Sequence, residues 1–242
     1  MDQFAKSEWN KEESAREFIE NADMYILDRK RLFKILKSLY KYFLMKNIKY
    51  RPKKVLDLGC GDGRITQELL KADEKLDATL VDGSTEMLVH AKNRLKSYSE
   101  LKYIHSTFHD LVNNDLLSVD FDFVVSSLAI HHLPVEDKRN LFKYIYNHLN
   151  SGGIFLNVDV VRAPSSDLEE WYLELWREWI IENEMKMELS ESFQHIPDQY
   201  KNNPDNHPDL LEEQLSTLKS TGFKTVDCHY KYGIFSIYSG QK

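Results

Sequence analysis

Apolar and polar positions along this chain follow two periods. Short apolar runs at Val55–Leu58, Ala78–Val81, Phe121–Ile130 and Ile154–Val161 read as buried strands of a parallel sheet, which are apolar on both faces. Lys102–Thr107 reads as a further strand. Between the runs the period changes to that of a helix. Residues 12–47 are helical on pattern with a break near Asn21–Asp23, and 25–45 gather Ile26, Leu32, Phe33, Leu36 and Phe43 on one side. Arg64 opens a helix that places Ile65, Leu69 and Leu70 inward, and Ser84 is placed to cap the next one, with Met87 three residues later. Glu136–Leu149 is helical, and Asn150-Ser-Gly-Gly153 is placed to end it because Asn and Gly tolerate left-handed backbone. Asp209–Thr221 is a helix behind Pro208, followed by strands at 224–230 and 234–239 joined by Lys231–Gly233.

Residues 163–208 break the strand–helix rhythm. Leu168–Ile181 holds Trp171, Leu175 and Trp179 at i, i+4 and i+8, an apolar stripe on one helix face. That stripe suits packing on the N-terminal helices, closure over a substrate, or a homodimer contact between two copies of the chain. Ser190–Pro208, with His195 and His207, reads as loop or a short helical lid.

Composition narrows the class. With 242 residues the chain suits a single domain with a cap, and 42% hydrophobic against 29% charged residues is ordinary for a globular protein. The net charge of −7 argues against a broad nucleic-acid footprint, which needs clustered Lys and Arg. Two distant cysteines, Cys60 and Cys228, give no disulfide framework. Met1–Asn10 is polar without an apolar leader, and no run is long enough to span a membrane, so the expected location is the cytoplasm.

The chemistry gathers in Val55-Leu-Asp-Leu-Gly-Cys-Gly-Asp-Gly63: a strand, a glycine turn, then a helix. The glycines permit positive φ and let a ligand lie against bare backbone, and the N–H groups opening the helix favour an electron-rich group. Asp82, nineteen positions beyond Gly63, ends the second strand where a ribose hydroxyl pair would be held, with Gly83 beside it. The spacing is G-x-G-x-G, and Arg64 stands where the dinucleotide fingerprint requires its third glycine. On these residues the chain resembles the class I S-adenosylmethionine-dependent methyltransferases, and more weakly from Tyr25 to the C-terminus.

The resemblance implies an α/β fold: a Rossmann-like, doubly wound, mixed seven-stranded sheet with an antiparallel C-terminal strand, N-terminal helices and a helical cap. One domain would divide into an N-terminal helical segment 1–50, a cofactor core 51–162, a cap 163–208 and a final helix and strand pair 209–242. The implied cofactor is S-adenosyl-L-methionine, bound by Asp57, Gly59, Cys60, Gly61, Asp82 and Gly83. Tyr25 would lie over its methionine moiety, Met87 on its adenine, and Ser126 and Leu128 along the methionine portion. The third strand lacks the family's terminal acid; Thr107 and the Phe108 N–H stand there instead.

The implied reaction is in-line methyl transfer to a small-molecule N, O or S acceptor. His131 and His132 are candidates for base or substrate contact; neighbouring side chains rarely point the same way, so no metal site is expected. Arg29, Asp159, Trp171 and Trp179 are the substrate-side candidates. Three alternatives stand. Some relatives build a carboxylated cofactor for tRNA modification, for which Arg29, Arg31 or Arg162 could hold the carboxylate. A nicotinamide-dependent oxidoreductase is disfavoured by Arg64. A regulatory protein could keep the cofactor without turnover.

Overall fold

The computed structural model describes residues 9, 11–45, 52–99, 101–187 and 192–242. The expected helical positions Lys46 and Asn47, most of the polar stretch Met1–Asn10, and Ser190 lie outside the described residues.

The elements run α1 (Glu12–Tyr25), α2 (Arg29–Tyr40), β1 (Lys54–Leu58), α3 (Arg64–Leu70), β2 (Asp77–Asp82), α4 (Thr85–Arg94), β3 (Leu101–His105) and α5 (Phe108–Asn113). The second half runs β4 (Phe121–Ser127), α6 (Val135–Asn147), β5 (Leu149–Val160), α7 (Ser166–Met187), α8 (Ile196–Asn202), α9 (Leu211–Thr221), β6 (Lys224–Tyr232) and β7 (Phe235–Gln241). Among the described residues the strands form one seven-stranded sheet, ordered β3-β2-β1-β4-β5-β7-β6. β3, β2, β1, β4 and β5 pair in parallel, while β7 runs antiparallel to both β5 and β6. The order reverses between β1 and β4, and in such sheets ligands collect at the carboxyl ends of the strands flanking that point.

Successive strand residues point to opposite faces, so each strand feeds two apolar layers. Val55, Val125 and Leu156 enter one core with α1, α2, α3, α4 and α7, while Leu56, Val124 and Phe155 enter the other with α6 and α9. Ser84 caps α4 by accepting the Met87 N–H at 3.3 Å, as the pattern predicts.

Several boundaries differ from the sequence reading, each for a local reason. α1 runs unbroken through Asn21–Asp23, and the break falls at Ile26–Asp28, where Asp28 takes a left-handed conformation at φ 48°. Asp tolerates that region better than most residues. α6 stops at Asn147, and Asn150–Gly153 belong to β5. A Cβ on Gly153 would come 2.9 Å from the Asn150 carbonyl and 3.2 Å from that of Phe121, so glycine admits the irregularity where the β4–β5 register shifts. β6 and β7 extend past the expected limits and leave Gly233, at φ 54°, in the turn.

The largest correction concerns α7. Its buried positions are Leu173, Trp176 and Ile180, not the stripe of Trp171, Leu175 and Trp179; Trp171 is 56% exposed and Trp179 half-buried. Trp176 wins the inward face because its N–H finds a partner there: it donates to the Tyr25 carbonyl at 2.7 Å while its ring meets Phe235 edge-on. Two turns further on, Asn183 donates to the carbonyls of Asp23 and Met24 at 3.3 and 3.2 Å. α7 thereby satisfies carbonyls that the end of α1 leaves open. Among the described residues no helix is long and apolar enough to cross a membrane.

Trp176→Phe keeps a smaller aromatic ring but removes the donor to the Tyr25 carbonyl, and it should cost about 1–3 kcal/mol of unfolding free energy. Trp171→Ala should shift stability by no more than about 0.5 kcal/mol, since that side chain is mostly in water. Urea unfolding followed by circular dichroism checks both.

Candidate functional site

The glycine turn after β1 carries three positive φ angles, 65° at Gly59, 52° at Gly61 and 75° at Gly63. Close packing demands two of them. A Cβ on Gly59 would sit 2.4 Å from that of Ala129, and one on Gly63 would press Leu95 and Ala91 of the α4 region at 3.0 and 3.3 Å. A Cβ on Gly61 would meet nothing within 4 Å, because that face opens onto a cavity of about 570 Å³.

Asp82 secures the turn. Its Oδ2 accepts the Gly61 N–H and its Oδ1 the Ser84 N–H, both at 2.8 Å, joining the turn after β1 to the start of α4. Burial pushes the Asp82 carboxyl above its ordinary range, and the two backbone donors pull it back. Gly59 and Cys60 donate to the Val81 carbonyl at 2.9 and 3.0 Å, which fixes the same junction through backbone alone.

Gly59, Cys60, Gly61, Asp82, Gly83, Met87, Thr107, Phe108 and Leu128 all line the cavity. Thr107 caps α5, accepting the Asp110 N–H at 3.1 Å and donating to its carboxylate at 2.9 Å. Asp57 lies beneath the turn instead of on the wall. It is buried and accepts the Thr66 hydroxyl at 2.6 Å, tying β1 to α3, and burial raises its carboxyl to about 7 against the Thr66 hydrogen bond. Ser126 is likewise turned away, donating to the Leu58 carbonyl at 2.7 Å, so Ser127 takes the lining position. Tyr25 is not among the lining residues: its ring packs between Phe18 and Phe193, and Phe18 reaches the wall in its place.

The far end of the cavity is aromatic. Phe18, Leu32 and Phe33 come from the N-terminal helices, Ile26 from the break between them, Leu133 and Pro134 from the loop after β4, and Trp9 from the chain ahead of α1. Arg29 lines it too, paired with Asp23 at 2.9 Å and lying over the Phe33 and Phe18 rings at 5.3 and 5.8 Å. Arg162 is half exposed beside Glu213 at 3.7 Å and Arg31 is exposed; neither lines the cavity.

The two histidines diverge. His131 is buried against Asp159, its Nδ1 2.6 Å from Oδ1 while its backbone N–H donates to Oδ2 at 3.0 Å. Burial alone would raise the Asp159 carboxyl; His131 draws it below its usual range. Neither residue faces the cavity. His132 does, with both ring nitrogens engaged. The indole of Trp9 can only donate and the Asp205 carbonyl only accept, so Nε2 accepts from Trp9 at 3.1 Å and Nδ1 carries the hydrogen toward Asp205 at 3.2 Å. Burial and the neighbouring His131 ring lower His132 to about 3. A base-catalytic role for either residue is not what this geometry offers: one side chain faces Asp159, and the other is too weak a base while it is buried. Trp171 and Trp179 are also off the cavity wall.

Trp9, Phe18, Phe33, Arg64 and Asp205 are lining residues that sequence reasoning missed. Arg64 alone carried a signal, as the departure from the dinucleotide motif; the others reach the site through tertiary packing.

Residues 55–153 match the sequence family described as a methyltransferase domain. A carboxy-S-adenosyl-L-methionine synthase from Nautilia profundicola is 24% identical over 200 residues, 81% of this chain and 80% of that protein. An O-methyltransferase family protein from Burkholderia thailandensis superposes with a TM-score of 0.65 at 13% identity, over 98% of this chain and 62% of that one. The chain thus spans about three-fifths of the length of that structure. Magnesium protoporphyrin IX methyltransferase from Synechocystis, solved with S-adenosylhomocysteine, gives 0.61 at 11% identity over 91% and 86% of the two chains. Sheet order and glycine turn agree with the matched domain: residues 55–153 resemble a methyltransferase domain, and the chain has the Rossmann-like fold of the S-adenosylmethionine-dependent methyltransferases.

Proposed function

We propose that this chain transfers the methyl group of S-adenosylmethionine to a small-molecule acceptor held in the same cavity. The observation that carries this reading is continuity: one cavity of about 570 Å³ joins the glycine turn and Asp82 to the aromatic end. That volume lies in the range of small-molecule sites.

The residues present fit the cofactor. Gly61 offers bare backbone toward the cavity, Asp82 keeps carboxylate lone pairs beyond the two that its backbone donors occupy, and Met87 and Phe108 supply apolar walls. When bound, the cofactor brings a sulfonium methyl already activated for displacement. The chain's own part is positioning: alignment of two reactants can supply on the order of 7–11 kcal/mol in favourable cases. Trp9, Phe18 and Leu133 wall water away from the aromatic end. His132, neutral and bonded on both sides, holds Trp9 over the cavity.

A second reading is favoured by the Nautilia relative's name: synthesis of a carboxylated cofactor. Of the three arginines considered for its carboxylate, Arg29 lines the cavity. Incubation with methyl-labelled S-adenosylmethionine and a panel of phenols, amines, thiols and carboxylic acids, read by mass spectrometry, separates the two. Methyl transfer predicts S-adenosylhomocysteine and a labelled acceptor, reduced about tenfold or more in Asp82→Ala. A carboxylated nucleoside would favour the second reading, and turnover to neither product would overturn both.

His132 also sets a pH signature. Its folded pKa lies below the usual 6.5, so its contribution to stability is present above that value and is lost as pH falls toward about 3. Wild type should therefore lose more thermal stability between pH 6.5 and pH 4 than His132→Gln does, as scanning calorimetry would show.

A further inference from the structure

Arg64 is the motif residue that the proposed chemistry leaves without a task. It opens α3 directly behind Gly63 and lines the cavity. The other cations around this cavity are neutralised: Arg29 pairs with Asp23, and Arg94 with the lining residue Asp62. The Arg64 side chain has no hydrogen bond or ion pair among the described residues, and its Nε is shut away from water without a partner. A buried N–H is rarely left unmatched, and a guanidinium presents its donors as a planar fork that fits a carboxylate on two bonds.

We propose that Arg64 is an anion subsite of this cavity, anchoring a ligand's carboxylate through that fork. The inference rests on the methyltransferase reading for its ligands. Two sources share this chemistry, the α-carboxylate of the cofactor and a carboxylate on the acceptor. The position suits both, since α3 packs on α2, whose Arg29 and Phe33 form the aromatic end of the same cavity.

Calorimetric titration of wild type, Arg64→Gln and Arg64→Lys decides it, using S-adenosylhomocysteine, methylthioadenosine (which lacks the amino acid carboxylate) and benzoate added to nucleoside-saturated protein. If the cofactor is the source, Arg64→Gln weakens S-adenosylhomocysteine by about thirtyfold or more, spares methylthioadenosine, and Arg64→Lys falls between. Unchanged methylthioadenosine binding also shows that the variant folds. If the acceptor is the source, both nucleosides bind Arg64→Gln as they bind wild type, and benzoate binding is lost. Arg64→Gln that binds S-adenosylhomocysteine normally, with no Arg64-dependent benzoate binding, would overturn the proposal. Wild type that binds neither nucleoside would instead sink the methyltransferase reading; benzoate titrated into the ligand-free proteins would then decide Arg64 alone.

Discussion

The carboxylate of Asp82 is the constraint on which the site depends. One oxygen receives the Gly61 N–H and the other the Ser84 N–H, so a single half-buried side chain holds the turn after β1 against the start of α4. Burying a carboxylate costs free energy, and these two donors offset that cost by standing in for water. What the clasp fixes is a surface of bare backbone. Gly59 lies too close to Ala129 for any side chain, so β1's turn touches the loop after β4 and closes the cavity floor. Gly63 does the same toward α4, allowing α3 and α4 to approach.

A second buried network holds the opposite wall and explains why several chemically tempting residues are structural. Asp159 gathers His131, the Val160 N–H and Asn157, and Asn157 in turn donates to the Tyr238 hydroxyl at 2.7 Å. The Tyr238 hydroxyl meets Gln214, whose amide donates to Asp209 at 2.6 Å, and Asp209 also accepts Lys138 at 2.8 Å. His131 receives the His207 N–H on its carbonyl at 2.8 Å. The strand ends, α9 and the 203–209 loop are thereby welded into one rim, which leaves His132 and Asp205 on the wall.

Much of this was legible in the sequence. The apolar runs and the glycine spacing located β1, β2, β4 and β5, the turn, and the acid that serves it, because those features follow from local backbone chemistry. Direction along a strand was less legible: Ser126 and Ser127 are equivalent in composition, and only the pleat decides that Ser126 meets Leu58 while Ser127 meets the cavity. The α7 stripe misled because two helical faces carry tryptophan, and the choice between them rests on a carbonyl of α1 that accepts the Trp176 indole. Trp9 and Phe18 lie far in sequence from the glycine turn and the loop after β4 whose cavity they share, so no local pattern marks them.

The central claim is that the open face of Gly61 is the floor of a nucleoside site. Gly61→Asn tests it most directly, because Asn tolerates the left-handed backbone there while its side chain fills the space. Calorimetric titration with S-adenosylhomocysteine should show binding to wild type and a loss of about thirtyfold or more in the variant, roughly 2 kcal/mol, with the fold retained. Undiminished binding to a folded Gly61→Asn protein would contradict the account.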